Sequence, residues 1–332
     1  MQLVKLNLQK FKALENFSMT FGPRINAVRG PVGSGKTTIF QALHLMKYLI
    51  LGDQWFNQIN PDEFGSEEEP LLQMEALFRD EDRYLSWANH WHSPGRYTAF
   101  EKIREGPTPD SMTDVLVFQN HGFEISEGDQ TYKNGFQIRR LRSAAIDCVT
   151  WPGGNFYRGI RERIRGWARK VILLDVLTPR DLTERNYCTY DSFGIGGFGF
   201  PGFLAGLSPR RLRRVEDRMK GYDSTFTRLK QIVCPGHMAT VEVWERGEFR
   251  KLDLLGNGQL RLLAFAAMPE LPADLIILEE MESGIPTERF PQILDDLSQC
   301  TFQTLLSSYA PTEIPGGSIT TLPVSTDSIE IG

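Results

Sequence analysis

Apolar and polar residues alternate from Leu3 to Leu8 and again from Phe17 to Phe21, the period of two that a half-buried strand requires. Ile25-Asn26-Ala27-Val28 then reads as a buried strand. From Thr37 the period changes, and Ile39, Leu43 and Met46 lie on one face of a helix running to Met46. Gly52 to Pro70 is polar, acidic and rich in turn formers, which predicts a loop or irregular insertion. Short strand-like runs follow between Leu71 and Phe136: Leu71 to Phe78, Tyr84 to His90, Val115 to Phe118 and Phe123 to Ser126. Asp, Gly and Pro turns separate them, the pattern of an antiparallel meander. Gln137 to Cys234 reads as helical and Arg-rich, interrupted by Asp191 to Gly206. The remainder returns to α/β texture, with strands at Thr240 to Trp244, Leu275 to Leu278 and Phe302 to Leu306, and helices at Gly258 to Met268 and Pro291 to Cys300. The natural division is therefore 1–136, 137–234 and 235–332. No internal repeat and no heptad array is present.

One segment carries recognisable chemistry. Gly30-Pro31-Val32-Gly33-Ser34-Gly35-Lys36-Thr37 spells G-x-x-x-x-G-K-T between a strand and a helix that continues through Thr38. Such a loop points successive backbone N–H groups into one concavity at a helix N-terminus, where the dipole favours anions. Its glycines allow close approach to phosphate. Lys36 can reach the β- and γ-phosphates, and the Thr37 hydroxyl can ligate Mg²⁺. Binding of ATP or GTP is the expectation. Downstream, Asp274-Leu275-Ile276-Ile277-Leu278-Glu279-Glu280 is an apolar strand ending in two carboxylates. Strand side chains alternate, so the two acids have different tasks. Glu279 can hold the Mg²⁺ water shell, and Glu280 can orient or deprotonate the water that attacks the γ-phosphate. Gly256-Asn257-Gly258-Gln259 opens another apolar helix and makes a second anion-ready N-terminus. One subunit needs only one such site per nucleotide, so this turn is expected to close over nucleotide held by a second subunit.

Composition narrows the class. With 332 residues, 41% hydrophobic and 24% charged, the chain reads as an ordinary globular protein. It contains no apolar run near the ~20 residues of a membrane span and no signal-peptide core. Cys148, Cys188, Cys234 and Cys300 have no C-x-x-C spacing, which fits a reducing cytoplasm and argues against zinc or a disulfide framework. His90 and His92 flank Trp91 in an alternating stretch, as two side chains on one face of a strand. The net charge of −5 is unevenly spread. Arg158, Arg161, Arg165 and Arg169 recur at helical spacing opposite Ile160, Ile164, Trp167 and Val171, and Arg210, Arg211, Arg213 and Arg214 open another helix. Two readings stay open for these stripes: contact with duplex DNA, or a solvated face making intrachain ion pairs. The Gly-rich Asp191 to Gly206 stretch has G-x-G-G-x-G-like spacing without a strand–helix frame. It reads as a mobile loop docking on a partner or ligand rather than as a dinucleotide site.

Taken together, the Phe11-Lys12-Ala13-Leu14 strand, phosphate loop, meander, helical insertion, Leu-x-x-Gly-Gln-Leu-Arg helix, strand-Glu-Glu and Glu282-Ser283-Gly284 resemble the ABC-type ATPase head of the SMC, RecF and OLD group, broadly AAA ATPases. The resemblance spans nearly the whole chain. It implies an α/β P-loop NTPase fold: an ABC-ATPase head with mixed sheet, antiparallel β meander and helical lobe. The ATPase lobe would be built from 1–136 and 235–332, with the Arg-rich lobe at 137–234. It further implies that Gly30 to Thr38 form Walker A, that Glu279 and Glu280 end Walker B with Glu280 catalytic, and that Glu282 to Ile285 form the D-loop. Gly256 to Gln259 would be the signature loop touching ATP across a homodimer, followed by Arg261 as in RecF-like signatures. The chain departs from the family at three places. Gly256 stands where a serine hydroxyl normally meets the γ-phosphate, Glu279 replaces an aspartate, and Tyr309 replaces the switch histidine, which a phenol imitates only in part. The Q-loop glutamine is either Gln119 or a residue near Trp151. Losing one transition-state donor costs about 3 kcal/mol, so slow hydrolysis, or a stable ATP-bound dimer, is expected. The missing coiled coil and the absence of a following nuclease domain point to an output on another chain, a nuclease or toxin, in DNA repair or anti-phage defence. The alternative is an ATP-dependent scaffold or sensor. A transporter subunit is disfavoured by the Phe11 to Leu14 strand, the RecF-like helix and Tyr309.

Overall fold

The alternation of the N-terminal third becomes one antiparallel sheet. A computed structural model describes residues 1–12, 14–51, 71–92, 97–119, 122–127, 130–135, 154–184, 186–187, 193–233, 238–245, 247–308 and 317–322. The expected loop at Gly52 to Pro70, the Trp151 segment and Tyr309 lie outside these residues. Contacts divide the chain into two units that interleave in sequence: Met1–Pro23, Pro31–Val171 and Leu322–Gly332 in the first, Arg24–Gly30 and Ile172–Thr321 in the second.

In the first unit, β1 (Gln2–Phe11) and β2 (Leu14–Thr20) form a hairpin. A third strand, β3 (Ile25–Arg29), belongs to the second unit. The meander then runs through β4 (Leu71–Asp80), β5 (Arg83–His92), β6 (Tyr97–Gly106), β7 (Thr113–Gln119), β8 (Gly122–Glu127) and β9 (Gln130–Gly135). The order is β2-β1-β4-β5-β6-β7-β8-β9, with antiparallel pairing throughout. Leu6, Met74, Phe78, Trp87, Trp91, Ile103 and Phe118 are buried, as the period of two requires. Helix α1 (Lys36–Leu51) contacts α2 (Gly154–Arg169). Ile160, Ile164 and Trp167 on α2 are buried, and Trp167 meets Phe78 edge-on at 4.7 Å. Each such side chain stabilises by about 1.5–3 kcal/mol. Arg163 clamps the same helix to the sheet through Asp80 at 3.2 Å and through the buried Glu105. His90 is half-buried in β5 with its ring against Phe100, and burial lowers its pKa.

The second unit holds a five-stranded sheet in the order β10 (Val171–Asp175), β15 (Leu275–Leu278), β16 (Gln303–Ser308), β3, β17 (Ser318–Thr321). The β15/β16, β16/β3 and β3/β17 pairings are parallel. A continuous apolar strand such as Leu275–Leu278 suits this setting, because parallel strands are covered on both faces. A smaller antiparallel sheet joins β11 (Asn186–Tyr187), β13 (Met238–Glu245) and β12 (Leu229–Val233), with β14 (Glu248–Lys251) on β13. Among the described residues the unit also holds the α-helices α3 (Pro179–Thr183), α4 (Phe200–Gly206), α5 (Pro209–Tyr222), α6 (Asn257–Ala267) and α7 (Phe290–Ser298). Helix α6 is buried throughout from Leu260 to Ala267, and apart from Arg261 that stretch is apolar on all sides accordingly.

Two expectations for the middle of the chain need correcting. The stretch read as helical contains the strands β10, β11 and β12; Val171-Ile172-Leu173-Leu174 is a short apolar run that periodicity alone assigns to either state. The Asp191 to Gly206 stretch is not a docking loop over its described part. Phe193, Phe200, Phe203 and Leu204 are core residues, with Phe193 edge-on to both other rings at 5.0 and 4.9 Å. Gly196 and Gly197 have φ of 68° and 93° and let the chain turn tightly against Asp181 and Leu182.

Candidate nucleotide-binding site

The phosphate loop leaves the C-terminal end of β3. Gly33 and Gly35 take φ of 81° and 91°, a region closed to most side chains. A Cβ on Gly35 would also stand 3.1 Å from the Leu14 side chain. The loop closes on itself through Ser34 N–H to the Pro31 carbonyl at 3.3 Å, and the Lys36 ammonium donates to that carbonyl at 2.7 Å. The Ser34 hydroxyl is buried without a partner among the described residues. Helix α1 begins at Lys36, so Thr37 and Thr38 lie in its first turn and Thr37 is exposed. Positive φ at the glycines, a lysine over the loop, an unsatisfied hydroxyl and a helix N-terminus form a donor set suited to a triphosphate. Val32, 88% exposed, is the loop's outermost apolar side chain.

The carboxylate pair stands on the second unit. Because β3, β16 and β15 run parallel, Gly30, Ser308 and Glu279 share the carboxyl edge of one sheet, where α/β folds place ligands. Glu279 N–H donates to the Asp175 carbonyl at 3.2 Å and Glu280 N–H to Ser307 Oγ at 2.9 Å. Glu280 sits at φ 48°, a left-handed conformation costing about 1 kcal/mol in a residue with a Cβ. The hydrogen bond to Ser307, itself buried, holds that turn. Thr37 belongs to the first unit and Glu279 to the second.

The Gly256 to Gln259 turn is also on the second unit. Gly256 is the N-cap of α6, with φ −65° and ψ 147°. Its carbonyl accepts from Leu260 N–H at 3.0 Å, and its own N–H donates to Gln259 Oε1 at 3.3 Å. The N–H groups of Asn257, Gly258 and Gln259 remain without a partner among the described residues. Gly258 packs on the Glu282 to Ile285 segment, where an added Cβ would meet the Gly284 carbonyl at 3.1 Å. Arg261 is buried behind the turn and donates to the Ser283 carbonyl. Burial lowers its pKa, while the negative charge of Glu280 pulls it back up. The turn, the Ser283-Gly284 segment and Glu280 thus form one connected group. The Gln259 side chain is engaged inside the chain, its Nε2 donating to Asp223 at 3.0 Å, so only its backbone N–H is free for an anion. Gln119 lies exposed at the end of β7.

Residues 5–144 match the family model described as an AAA domain. The chain is 29% identical over 169 residues to the DNA replication and repair protein RecF of Protochlamydia amoebophila (strain UWE25), an alignment covering 49% of this chain and 45% of that protein. Among solved structures, an SmcHead bound to the C-winged helix domain of ScpA superposes with a TM-score of 0.54 at 12% identity, covering 97% of this chain and 94% of the other. An Smc head domain with an extended coiled coil, bound to the C-terminal domain of ScpA derived from Pyrococcus furiosus, gives 0.50 at 11%, covering 96% and 93%. The chain has the fold of these Smc head domains. It spans about half the length of the curated RecF relative. No helix among the described residues of this head is long and apolar enough to cross a membrane.

Three contributors to the site escaped sequence reading. Ser307 was visible only as part of a strand end, and Asp175 acts through a carbonyl that any residue would supply. Asp223 had a faint signal: Asp-Ser-Thr just past a helix is a turn-forming sequence.

Proposed function

We propose that this head binds ATP with Mg²⁺ and hydrolyses it, and that ATP joins two copies head-to-tail. In this reading Gly30 to Thr38 cradle the triphosphate, and Thr37 and Glu279 hold the Mg²⁺, which would polarise the γ-phosphate. Glu280 orients the attacking water, and Tyr309 takes the part of the family's switch histidine. The N–H groups of Asn257, Gly258 and Gln259 reach the nucleotide of the second copy. The observation that carries the proposal is that exposed turn: three free N–H donors at a helix N-terminus, tied through Gly258 and Arg261 to the segment next to Glu280. In one copy these donors have no acceptor, and the partner's phosphates supply one.

The cycle then serves a partner effector on another chain, in DNA repair or anti-phage defence in the cytoplasm. The name of the RecF relative supports the DNA branch. The division into an ATPase lobe at 1–136 and 235–332 and an Arg-rich lobe at 137–234 is part of the same reading. Gly256 has no hydroxyl, which favours slow turnover and keeps the scaffold or sensor role as a second reading. ATPase rates of wild type against Glu280→Gln, with and without duplex DNA, test the assignment. DNA-stimulated turnover that Glu280→Gln abolishes supports it. ATP-dependent dimers without turnover in either protein leave the scaffold. Absence of both sinks the proposal.

A further inference from the structure

Helix α5 is fastened along α6 at both ends. Near the end of α6, Arg218 Nη1 donates to the Ala266 carbonyl at 2.9 Å, and Arg211, Arg214 and Arg218 converge on the buried Glu270 just beyond it. At the other end, α5 stops at Asp223, whose Oδ2 accepts from Gln259 Nε2 at 3.0 Å. The two helices therefore run antiparallel. The Asp223 carboxylate is itself fixed, because Oδ1 accepts Thr225 N–H at 2.9 Å and the Thr225 hydroxyl at 2.6 Å. Burial opposes its ionisation, yet the hydrogen bonds from Thr225 and Gln259 outweigh that and hold the carboxyl below its usual range.

We propose that Asp223 is a positioning residue for the Gly256 to Gln259 turn. Its carboxylate orients the Gln259 amide, and the amide oxygen in turn holds Gly256 N–H. The chain of bonds is Thr225, Asp223, Gln259, Gly256, and every member has a defined donor or acceptor role. It fixes the angle at which the N–H groups of Asn257, Gly258 and Gln259 leave the helix, and it makes α5 and the turn one body. Anything that displaces the Arg-bearing helix then displaces the phosphate donors. This inference rests on the ATP-sandwich reading for its effect on turnover, although the latch itself is a property of one copy.

The roles of the four atoms specify the test. In Asp223→Asn the acceptor stays on Thr225, and an NH₂ faces the Gln259 NH₂, donor against donor. Flipping Gln259 only moves the conflict to Gly256 N–H. In Gln259→Glu two carboxylates face each other. In the double variant, Asp223→Asn/Gln259→Glu, the carboxylate introduced at position 259 accepts from the amide introduced at position 223 and from Gly256 N–H together, so the pattern closes again.

The measurements on the full chain are kcat and KM for ATP, ATP-dependent dimerisation by sedimentation, ATP affinity of the monomer, and hydrogen exchange at the Gly256 and Leu260 amides. Each single variant is expected to lower kcat and to speed that exchange by about tenfold, the scale of one charge-assisted hydrogen bond. Monomer affinity for ATP stays unchanged, and Asp223→Asn/Gln259→Glu recovers both readouts. Singles that match wild type, or a double no better than the worse single, overturn the proposal. If wild type neither dimerises nor hydrolyses ATP, the functional reading has failed, and the exchange rates alone decide the latch: unchanged rates in the singles refute it.

Discussion

Gly256→Ser is the most informative single change at the signature turn. Gly256 has φ −65° and ψ 147°, which any residue adopts, and an added Cβ would meet only Gln259 Oε1 at 3.7 Å. The serine therefore enters without strain. As an N-cap it exceeds glycine by a few tenths of a kcal/mol, about 0.3, so the fold is at least as stable as before. Its oxygen can accept the Gln259 N–H while its hydroxyl hydrogen points outward, where the proposed γ-phosphate of the second copy arrives. One added transition-state donor of this kind corresponds to about a tenfold to hundredfold rise in kcat. The assay is steady-state ATP hydrolysis at saturating ATP, with sedimentation to follow the dimer. A rate equal to or below wild type, in a protein that folds and dimerises normally, would refute the view that this turn faces phosphate.

Other outcomes follow from the same geometry. Glu270→Gln leaves three guanidiniums around a neutral amide, at a cost of about 2–3 kcal/mol after discounting for their partial exposure. That is a fall of about 4–8 °C in melting temperature at pH 7. Burial disfavours the Glu270 charge but the bonds from Arg214 and Arg218 outweigh it, so its pKa is lowered on folding. Its contribution is thus fully present above the ordinary carboxylate pKa of about 4.3 and lost as pH falls through the lower folded value, and the gap between variant and wild type should close in melts below about pH 4. Gly35→Ala forces a left-handed alanine against Leu14 and should weaken ATP binding, read by equilibrium titration, with little loss elsewhere in the fold. If the basic helix meets DNA, it does so through Arg210 and Arg213, which are exposed and unpaired among the described residues, rather than through the arginines that hold Glu270. Charge reversal at those two should then lower the slope of log affinity against log salt by about 0.9 for each phosphate no longer neutralised; an unchanged slope assigns them to solvent.

The strands and helices around the phosphate loop were legible because each has a single period, and the all-apolar Leu275 to Leu278 run predicted its own burial. The meander was legible from its turn residues. The middle of the chain was not. Val171 to Leu174 is apolar without period, and glycines at Gly194, Gly196 and Gly197 look like a loop although they let Phe193 reach the core. The arginines of α5 showed where charge lies but not where it goes, since Glu270 is far along the chain and marked by nothing in its neighbourhood. Arg161, one of the stripe on α2, proves to be buried, which spacing alone did not reveal. At the site, residue types and their order announced the loop, the carboxylate pair and the turn. The left-handed backbone at Glu280, and the hydrogen bonds to Ser307 and Asp223 that support its surroundings, depend on distant segments meeting in space and were invisible before the fold was known.

Complementation between two disabled copies bears most directly on a site shared across subunits. Lys36→Ala removes the ammonium from the loop, and Asn257→Glu places a negative charge at the exposed turn, where a helix N-terminus tolerates it. Each variant alone should neither dimerise with ATP nor hydrolyse it. Mixed together, they should regain turnover, because one intact loop then faces one intact turn in the mixed dimer. A mixture no more active than its separate components would contradict the account.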